Sequence, residues 1–479
     1  MCGNSGATWH RNLARTPTPD SAIKWPDSIP RLSIWLQENC KKDGWAEQEG
    51  CVLNRLVVPK CGLHGPSPDG GRPEDAIMVT KALAEVVAAV RMSNVRYAIR
   101  DLAVTAEEVA REGHSILYLN IGDPCKFDFH TPPHMIEAVL RAMVDGHNGY
   151  AESLGIKPAL EAIRHQAERN GFRDIQSIFI GFGTGEVIDT CLTALLNPGD
   201  NVLTPSPEYP LYGAIMAKLD CPLNPYDLDE DNDWQPDVDE IARKINSRTR
   251  AILLITPNNP TGAVYSRRTL EGILELARQH NLIIFADEIY DKLIFDPEEK
   301  HVSIATLATD VPVITFNGLS KAYLVPGWRI GWAIATGPRE VLHPYMESVH
   351  RLLRARLSAP HPFQHAIKPA LEGPQDHIQE MVRKLKRRAE LTVQWAKRTP
   401  HVKLVPPKGA FYAYPSLHIP EDDLTFVTDL LREKHVLVVH GSGFGEKPGT
   451  RHIRIVFLPP EHVLGEAYEA MSTFIKQRY

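Results

Sequence analysis

A lysine in a tight turn is the residue of this sequence best suited to covalent chemistry. Lys321 follows the apolar run from Val311 to Phe316, is surrounded by small residues, and precedes Arg329 by eight positions. An amine at a strand end, beside a fixed cation, suits a Schiff base to an aldehyde cofactor with a phosphate anchored nearby. A surface lysine at an ordinary strand-to-loop corner has a similar local sequence, because short motifs also match by chance. Other residues must therefore distinguish the two interpretations.

Polar residues follow three further apolar runs that are each predicted to be a strand. In open α/β sheets, binding sites form outside the carboxyl ends of the strands. The runs at 251–256, 282–287 and 177–182 lead into Thr256-Pro257-Asn258-Asn259-Pro260-Thr261-Gly262, Asp287-Glu288-Ile289-Tyr290 and Gly183-Thr184-Gly185. Agreement among several strand ends favours one shared site over scattered loops.

The residue types after two of these strands match the needs of a pyridine aldehyde cofactor. Such a ring withdraws electrons only while its nitrogen stays protonated, and a buried carboxylate beside the nitrogen favours that state. Asp287 is the candidate carboxylate, although an aspartate there could also cap a helix. Tyr290 and the side-chain amide of Asn259 can donate hydrogen bonds to the phenolic oxygen of the ring.

The third turn has the composition expected of a phosphate site. A phosphate with about two negative charges suits the backbone amides of a helix N-terminus and a guanidinium group. Gly183, Thr184 and Gly185 at a strand-to-helix turn supply amides, Ser320 supplies a hydroxyl, and Arg329 supplies the guanidinium. These residues extend the candidate site around Lys321.

Together these motifs resemble those of the pyridoxal-phosphate aminotransferases of fold type I, classes I and II. The resemblance covers about residues 92 to 479 and rests on Gly318-Leu319-Ser320-Lys321, Gly327-Trp328-Arg329-Ile330-Gly331, Asn259-Pro260-Thr261-Gly262 and Asp287-Glu288-Ile289-Tyr290. It implies pyridoxal 5'-phosphate as the cofactor, transamination as the reaction, and Lys321 as the catalytic lysine that holds the cofactor. One departure is Gly185, where the family often has Ser or Thr.

The resemblance also implies roles that spacing alone does not show. Tyr209 is expected to stack on the cofactor ring, and Gly122 to lie beside the substrate carboxylate. Arg454 is expected to clamp the α-carboxylate, with Asn259 as a further substrate contact. Tyr150 is expected to reach the cofactor phosphate of a partner subunit, which implies a homodimer with shared active sites.

Four stretches resemble the bacterial-type alanine, or glutamate–pyruvate, branch of that family. They are Ser93 to Arg100, with Tyr97 near the substrate by similarity, Leu119 to Pro124, Thr315 to Lys321, and Ile453 to Val456. The predicted reaction converts L-alanine and 2-oxoglutarate to pyruvate and L-glutamate. An aspartate, aromatic or broad-specificity aminotransferase is the alternative and would need a second cation for a distal carboxylate. A carbon–sulfur lyase of the same fold would need no keto acid.

The order of predicted elements indicates an α/β fold. Helices and β-rich runs alternate over residues 133–345, which predicts a large cofactor-binding domain with a mainly parallel mixed sheet wrapped by helices. Residues 346–479 are expected to form a smaller α+β domain, to which 76–132 contribute. A helical pattern is predicted over 73–92. Residues 1–75 are expected to be a poorly structured N-terminal extension.

Composition excludes several classes of protein. At 479 residues, with 43% hydrophobic and 23% charged residues, the chain has the composition of a globular protein of two domains. A formal net charge of −6 argues against nucleic-acid binding. No apolar run approaches the roughly 18 residues that span a bilayer, and no transcription-factor helix-turn-helix is seen before residue 92.

The seven cysteines are scattered and odd in number, which favours reduced thiols and a cytoplasmic location. Cys40, Cys51, Cys61 and His64 could in principle hold zinc, but only Cys61 and His64 have ligand-like spacing. No metal site is therefore predicted.

Overall fold

The computed structural model describes residues 86–95, 97–100, 102–296 and 298–479. The predicted extension over 1–75, the zinc candidates Cys40, Cys51, Cys61 and His64, and most of the helix predicted over 73–92 lie outside the described residues. The described part of that helix is not α-helical: residues 86–89 are not helical, and Val90–Asn94 form a short 3₁₀ helix. The prediction is wrong there because Val86 and Val87 are 96% and 84% exposed, and helices in proteins are stabilised mainly by packing of an apolar face.

The described residues form fifteen strands, numbered here in chain order. They are β1 (Leu117–Tyr118), β2 (Ile175–Phe182), β3 (Asn201–Ser206), β4 (Leu223–Asp229), β5 (Gln235–Pro236), β6 (Thr249–Ile255), β7 (Ile283–Asp287), β8 (Val313–Gly318), β9 (Ile330–Thr336), β10 (Val402–Lys403), β11 (Tyr412–Ala413), β12 (Ser416–Leu417), β13 (Val436–Leu437), β14 (Val439–His440) and β15 (Ile453–Val456).

Thirteen α-helices, also numbered in chain order, accompany these strands in the described part of the chain. They are α1 (Ala103–Arg111), α2 (Pro133–Val144), α3 (Lys157–Arg169), α4 (Gly183–Leu195), α5 (Leu211–Lys218), α6 (Val238–Lys244), α7 (Arg267–His280), α8 (Arg339–Ala355), α9 (His361–Gln364), α10 (Ile367–Glu372), α11 (Asp376–Arg398), α12 (Asp423–Lys434) and α13 (Glu461–Arg478). None of these helices combines the length and apolar character needed to cross a membrane.

An eight-stranded sheet in the order β2-β9-β8-β7-β6-β3-β4-β5 lies at the centre of the fold. The neighbouring pairs from β8 through β4 are parallel, whereas β9 is antiparallel to both of its neighbours. The predicted α/β class with a mainly parallel mixed sheet is therefore confirmed. The strands predicted at 177–182, 251–256 and 282–287 are present as β2, β6 and β7, each within about two residues of its predicted bounds, while β4 and β5 were not predicted.

Helices cover both faces of this sheet, and the alternation of side chains along each strand explains why. Leu253 and Phe285 belong to one apolar cluster, shared with α4, α5 and α8. Their neighbours Leu254 and Ile284 belong to the other cluster, shared with α3 and α7. Successive side chains of a strand point to opposite faces, so a strand buried on both faces is continuously apolar.

The strand directions gather several chain segments at one edge of the sheet. β2 runs parallel to β8, because each is antiparallel to β9. Phe182 at the end of β2 pairs with Ile330 at the start of β9, and Ile255 at the end of β6 pairs with Asp287 at the end of β7. Arg329, although it precedes a strand, therefore lies at the same edge as residues that follow strands.

Three small sheets contain the remaining described strands, and one of them joins the first described strand to a strand near the end of the chain. β1 pairs in parallel with β13, β10 pairs with β12, and β15 lies between β11 and β14. The helices α11, α12 and α13 pack against these strands within the larger apolar cluster. The division into domains at residues 132/133 and 345/346 stays a prediction.

Candidate active site

A cavity of about 640 Å³ opens at the edge of the sheet where the strand ends gather. It is lined by most of the residues predicted from the sequence, namely Tyr97, Gly122, Thr184, Gly185, Tyr209, Asn259, Asp287, Tyr290, Ser320, Lys321, Arg329 and Arg454. Two predicted residues do not line it. Gly183 lies directly behind the lining residue Thr184, and the side chain of Tyr150 is 82% exposed on the surface.

Lys321 lines this cavity and lies three residues after the end of β8. Its Nζ donates a hydrogen bond of 2.8 Å to the carbonyl oxygen of Gly122 and lies 5.5 Å from the centre of the Phe411 ring. Burial, together with the positive charges of Arg454 and Arg329, lowers the pKa of this lysine to about 8. The amine is therefore far more often neutral near neutral pH than an exposed lysine, as a nucleophile and a base both require.

Asp287 ends β7 with its carboxylate buried beneath the cavity. It is 5% exposed, and its oxygens accept hydrogen bonds from the Tyr212 hydroxyl at 3.0 Å and the Ile289 amide at 3.3 Å. Burial raises the pKa of Asp287 to about 6, although the Tyr212 hydrogen bond opposes this. A buried carboxylate of this kind is stabilised by any cationic group placed beside it.

Arg454 on β15 also lines the cavity and has a buried guanidinium group. The residue is 1% exposed, and its terminal nitrogens donate to the Asn259 side-chain oxygen at 3.1 Å and the Asn120 carbonyl at 2.6 Å. Its Nε has no hydrogen-bond partner. None of the ion pairs among the described residues includes Arg454. A buried cation whose partners are neutral is suited to an anionic ligand.

The N-terminus of α4 and the side chain of Arg329 also meet at this cavity, an arrangement suited to an anionic group. Arg329 donates to the carbonyl oxygens of Pro326 at 3.1 Å and Phe182 at 3.4 Å. Gly183 has a φ of +76°, and a Cβ there would lie 2.4 Å from the Arg329 Nη2 atom. Glycine thus permits both the turn and the close approach of the guanidinium.

Four tyrosines form hydrogen-bonded pairs around Lys321. The hydroxyl groups of Tyr97 and Tyr209 lie 2.9 Å apart, and those of Tyr290 and Tyr412 lie 2.8 Å apart. A Cβ on Gly122 would lie 2.5 Å from the Tyr412 hydroxyl, so a larger residue there would displace that tyrosine.

Three residues of the site were missed by sequence reasoning. Tyr412 and Asn120 line the cavity, and Tyr212 contacts Asp287 from α5. Tyr412 reaches the site because β11 pairs with β15, the strand that carries Arg454. Asn120 lies within the stretch from Leu119 to Pro124 but had no role assigned to it, whereas no motif marks Tyr412 or Tyr212, which only the folded chain brings to the site.

The positively charged residues of the cavity limit how many anionic groups a ligand can place there. Among the lining residues that the structure describes, the Lys and Arg residues are Lys321, Arg329 and Arg454. Lys321 is already expected to bind the aldehyde, Arg329 the phosphate and Arg454 the α-carboxylate. The described lining offers no additional Lys or Arg for a distal carboxylate. The cavity wall beyond Lys321 includes the apolar residues Ile99 and Leu102.

These residues fit pyridoxal 5'-phosphate. The α4 N-terminus and Arg329 offer a site for the phosphate. Asp287 offers a buried carboxylate for a protonated ring nitrogen, and Lys321 offers an amine of lowered pKa for the aldehyde. Arg454 remains for the carboxylate of a substrate.

Comparisons with known proteins agree with this geometry. The sequence model of the family described as aminotransferase class I and II matches residues 114–470. The chain is 42% identical over 379 residues to the glutamate-pyruvate aminotransferase AlaA of Escherichia coli K12, covering 77% of this chain and 93% of that protein. It is 31% identical over 388 residues to the aspartate aminotransferase of Bacillus sp. YM-2, covering 78% of this chain and 96% of that protein.

A comparison with solved structures agrees with the sequence comparison. The structure of an alanine aminotransferase from Pyrococcus furiosus superposes with a TM-score of 0.80 at 41% sequence identity, covering 82% of this chain and 100% of that one. The architecture seen here is thus that of the fold type I aminotransferases.

Proposed function

The chain belongs to the class I and II aminotransferases, and from that premise we propose that it transfers an amino group between L-alanine and 2-oxoglutarate, giving pyruvate and L-glutamate. The observation that carries the chemistry is that Lys321, with its pKa lowered to about 8, lines one cavity together with the buried Asp287 and Arg454. Support for alanine comes from the relatives at 41–42% identity that are named for alanine or glutamate–pyruvate transamination.

Pyridoxal 5'-phosphate would supply an electron sink conjugated to the substrate's α-carbon when bound. In our proposal Asp287 keeps a proton on the ring nitrogen, and Tyr290 with Asn259 donates to the phenolic oxygen. The phosphate would be held by the backbone amides of Gly183, Thr184 and Gly185 together with Ser320 and Arg329. Tyr209 would stack on the ring of the cofactor.

Arg454 would bind the α-carboxylate of the amino acid by two parallel hydrogen bonds. This contact, with Gly122, Asn259 and Tyr97 around it, would orient the α-hydrogen toward Lys321. The Lys321 amine, neutral because its pKa is lowered, would then accept the proton from the α-carbon. The Gly122 carbonyl, 2.8 Å from Nζ, holds that amine in place.

Replacement of Lys321 by Ala tests the central residue. We expect transamination to fall by about 10⁴-fold, since a positioned base alone contributes up to about that factor, and the visible absorbance of the bound cofactor to change. The exposed helix residue Lys386 supplies the control, Lys386→Ala, which should match the wild type in activity and absorbance. If the wild-type protein showed no visible absorbance even with added cofactor, the proposal would be wrong.

A coupled keto-acid assay tests the substrate. We expect L-alanine to be turned over faster than L-aspartate with 2-oxoglutarate as acceptor, because the described lining has no further Lys or Arg for the distal carboxylate of aspartate. Faster turnover of aspartate would instead favour the aspartate or broad-specificity alternative. Release of ammonia from cystathionine without a keto acid would favour the lyase.

We further propose a cytoplasmic homodimer with shared active sites. The argument rests on the exposed Tyr150, expected to reach the partner's phosphate, and on the exposed apolar residues Ile136 and Leu140 of the neighbouring α2. Within each protomer, residues 133–345 would form the cofactor-binding domain, and 346–479 with 76–132 the smaller one. Light scattering should give twice the mass of the chain, whereas a fully active monomer would contradict shared sites.

A further inference from the structure

Three histidines meet outside the active-site cavity, beside the turn that leads to Tyr150. His147 lies in the turn after α2, while His361 begins α9 and His365 follows its last residue. Each offers a ring nitrogen, and the three atoms all lie within 4.8 Å of one another. His361 and His365 are four positions apart, a spacing that places two side chains on one face of a helical turn.

The ring of His361 is held in one orientation by the backbone. Its Nδ1 lies 3.0 Å from the carbonyl oxygen of Gly149. A carbonyl oxygen only accepts hydrogen bonds, so Nδ1 carries a proton, and in the neutral ring Nε2 keeps a free lone pair. Metal-binding histidines commonly have this arrangement, in which one nitrogen donates to a carbonyl and the other binds the ion.

The ring of His365 has a buried nitrogen without a partner. Its Nε2 is inaccessible to solvent and makes no hydrogen bond. Buried polar atoms are nearly always paired, so an orphan of this kind requires an explanation.

Small movements would bring the three nitrogens to metal-binding distance. The ring centres of His147 and His365 lie 4.4 Å apart, and that of His361 lies 5.4 and 5.5 Å from them. Two imidazole nitrogens on a tetrahedral Zn²⁺ ion are about 3.3 Å apart, given a Zn–N distance of about 2.0–2.1 Å. The three nitrogens here lie within 4.8 Å of one another, and the exposed side chain of His147 is free to move toward the other two.

We propose that His147, His361 and His365 form a binding site for a divalent transition metal that prefers imidazole ligands, with Zn²⁺ as the ion to test. Three neutral imidazoles suit Zn²⁺, Co²⁺, Ni²⁺ or Cu²⁺, whereas Mg²⁺ and Ca²⁺ prefer oxygen ligands. Water would complete the coordination, as in other three-histidine zinc sites.

A bound ion would fasten the turn that carries Tyr150 to α9. That turn already contacts this region through the Gly149 carbonyl and through the Ala151 amide, which donates to the Ser358 hydroxyl at 3.2 Å. The ion would add a third link, made by His147. Tyr150 lies three residues from His147, so the site would restrain the segment expected to reach the partner subunit.

Metal content tests the proposal without reference to activity. Full-length protein loaded with cofactor is stripped with a chelator, dialysed against ZnCl₂, and analysed for zinc per chain. The variant His361→Ala/His365→Ala is compared with the wild type and with a matched control, His280→Ala/His462→Ala, which removes two exposed histidines elsewhere. We expect the first variant to bind one Zn²⁺ fewer per chain than the wild type and the control.

A single substitution and a second metal ion distinguish the loss of a ligand from misfolding of the double variant. His147→Ala removes an exposed side chain and should weaken Zn²⁺ binding by about tenfold or more, since even an outer partner of a ligand contributes about 10–100-fold. Co²⁺ should give visible d–d bands with the wild type that are lost in this variant. Equal zinc content in all proteins would overturn the proposal, because the zinc would then be bound elsewhere, for example by residues 1–85. Binding only at millimolar zinc would overturn it as well.

Discussion

Two fully buried arginines serve opposite purposes in this molecule. Arg388 on α11 is 0% exposed, and its Nη2 donates to both carboxylate oxygens of Asp128, at 2.7 and 2.8 Å. Arg454 on β15 is 1% exposed, yet its contacts are an amide oxygen and a backbone carbonyl. Each guanidinium also lies over aromatic rings, about 5 Å from the ring centre.

The difference shows how a buried charge distinguishes structure from function. Burial of a charge is costly unless an opposite charge compensates for it. The chain itself supplies that charge for Arg388, which links α11 to the segment before α2. For Arg454 the contacts are dipoles, so a ligand carboxylate would supply the missing charge. The same substitution at the two positions should therefore have opposite consequences.

The largest effect is expected from Arg454→Met. Loss of one partner of a buried charge pair in a complex costs about 2–5 kcal/mol, so kcat/KM for alanine should fall by about 10³-fold. The stability of the protein without substrate should stay the same or rise, because methionine removes an uncompensated charge. Steady-state kinetics and thermal unfolding measure both quantities. A loss of stability with unchanged kinetics would make Arg454 a structural residue like Arg388.

The matched change Arg388→Met should act mainly on stability. Removal of one partner of a buried pair costs about 3–5 kcal/mol, and the lower end applies because Asp128 is 38% exposed and can hydrate. We expect urea unfolding to show a loss of about 3 kcal/mol, with kcat/KM nearly unchanged. A large kinetic defect in a variant of normal stability would contradict the comparison.

A smaller, pH-dependent effect should separate the carboxylates of the two regions. The pKa of Asp287 is raised to about 6 by burial, so the folded protein binds this proton more tightly than the unfolded chain. Its contribution to stability is complete below the unfolded pKa and is lost as the pH rises through about 6. In cofactor-free protein the loss amounts to about 1 kcal/mol between pH 5 and 7.

Asp128 should show the opposite dependence. The hydrogen bonds from Arg388 and Lys384 outweigh burial and hold its pKa below the usual value. Its contribution is present above the unfolded pKa and is lost as the pH falls through the lower folded pKa. Unfolding curves of Asp287→Asn and Asp128→Asn against pH measure the two dependences. The same sign in both variants would show that the carboxylates do not differ as described.

Much of the central sheet could be predicted from the sequence because its strands are continuous apolar runs. β4 escaped prediction because Asn224, Pro225 and Asp227 interrupt the apolar pattern of a strand near the sheet edge. Over residues 363–371 the sequence pattern predicts a single helix, whereas the structure has two shorter ones there, α9 and α10. α12 was not predicted at all. Local patterns thus identify buried strands better than short segments that tertiary contacts stabilise.

The candidate site was predictable where residues lie in contiguous motifs. Lys321, Asp287 and Asn259 each stand in a turn directly after a strand, and the topology of parallel strands brings such turns together. Tyr412 and Tyr212 lie in none of the sequence motifs that predicted the site. They reach the cavity through the pairing of β11 with β15 and the packing of α5 against β7.

The sequence by itself determined the chemistry, because a reactive lysine, a carboxylate after a strand and a glycine turn are local features with local causes. It also determined the family, through motifs in a fixed order. Only the tertiary structure decided which buried charges are compensated. Asp128 lies 260 positions before Arg388, and Asn120 lies 334 positions before Arg454. The electrostatic partner of a buried side chain depends on contacts across such distances, and no local periodicity records them.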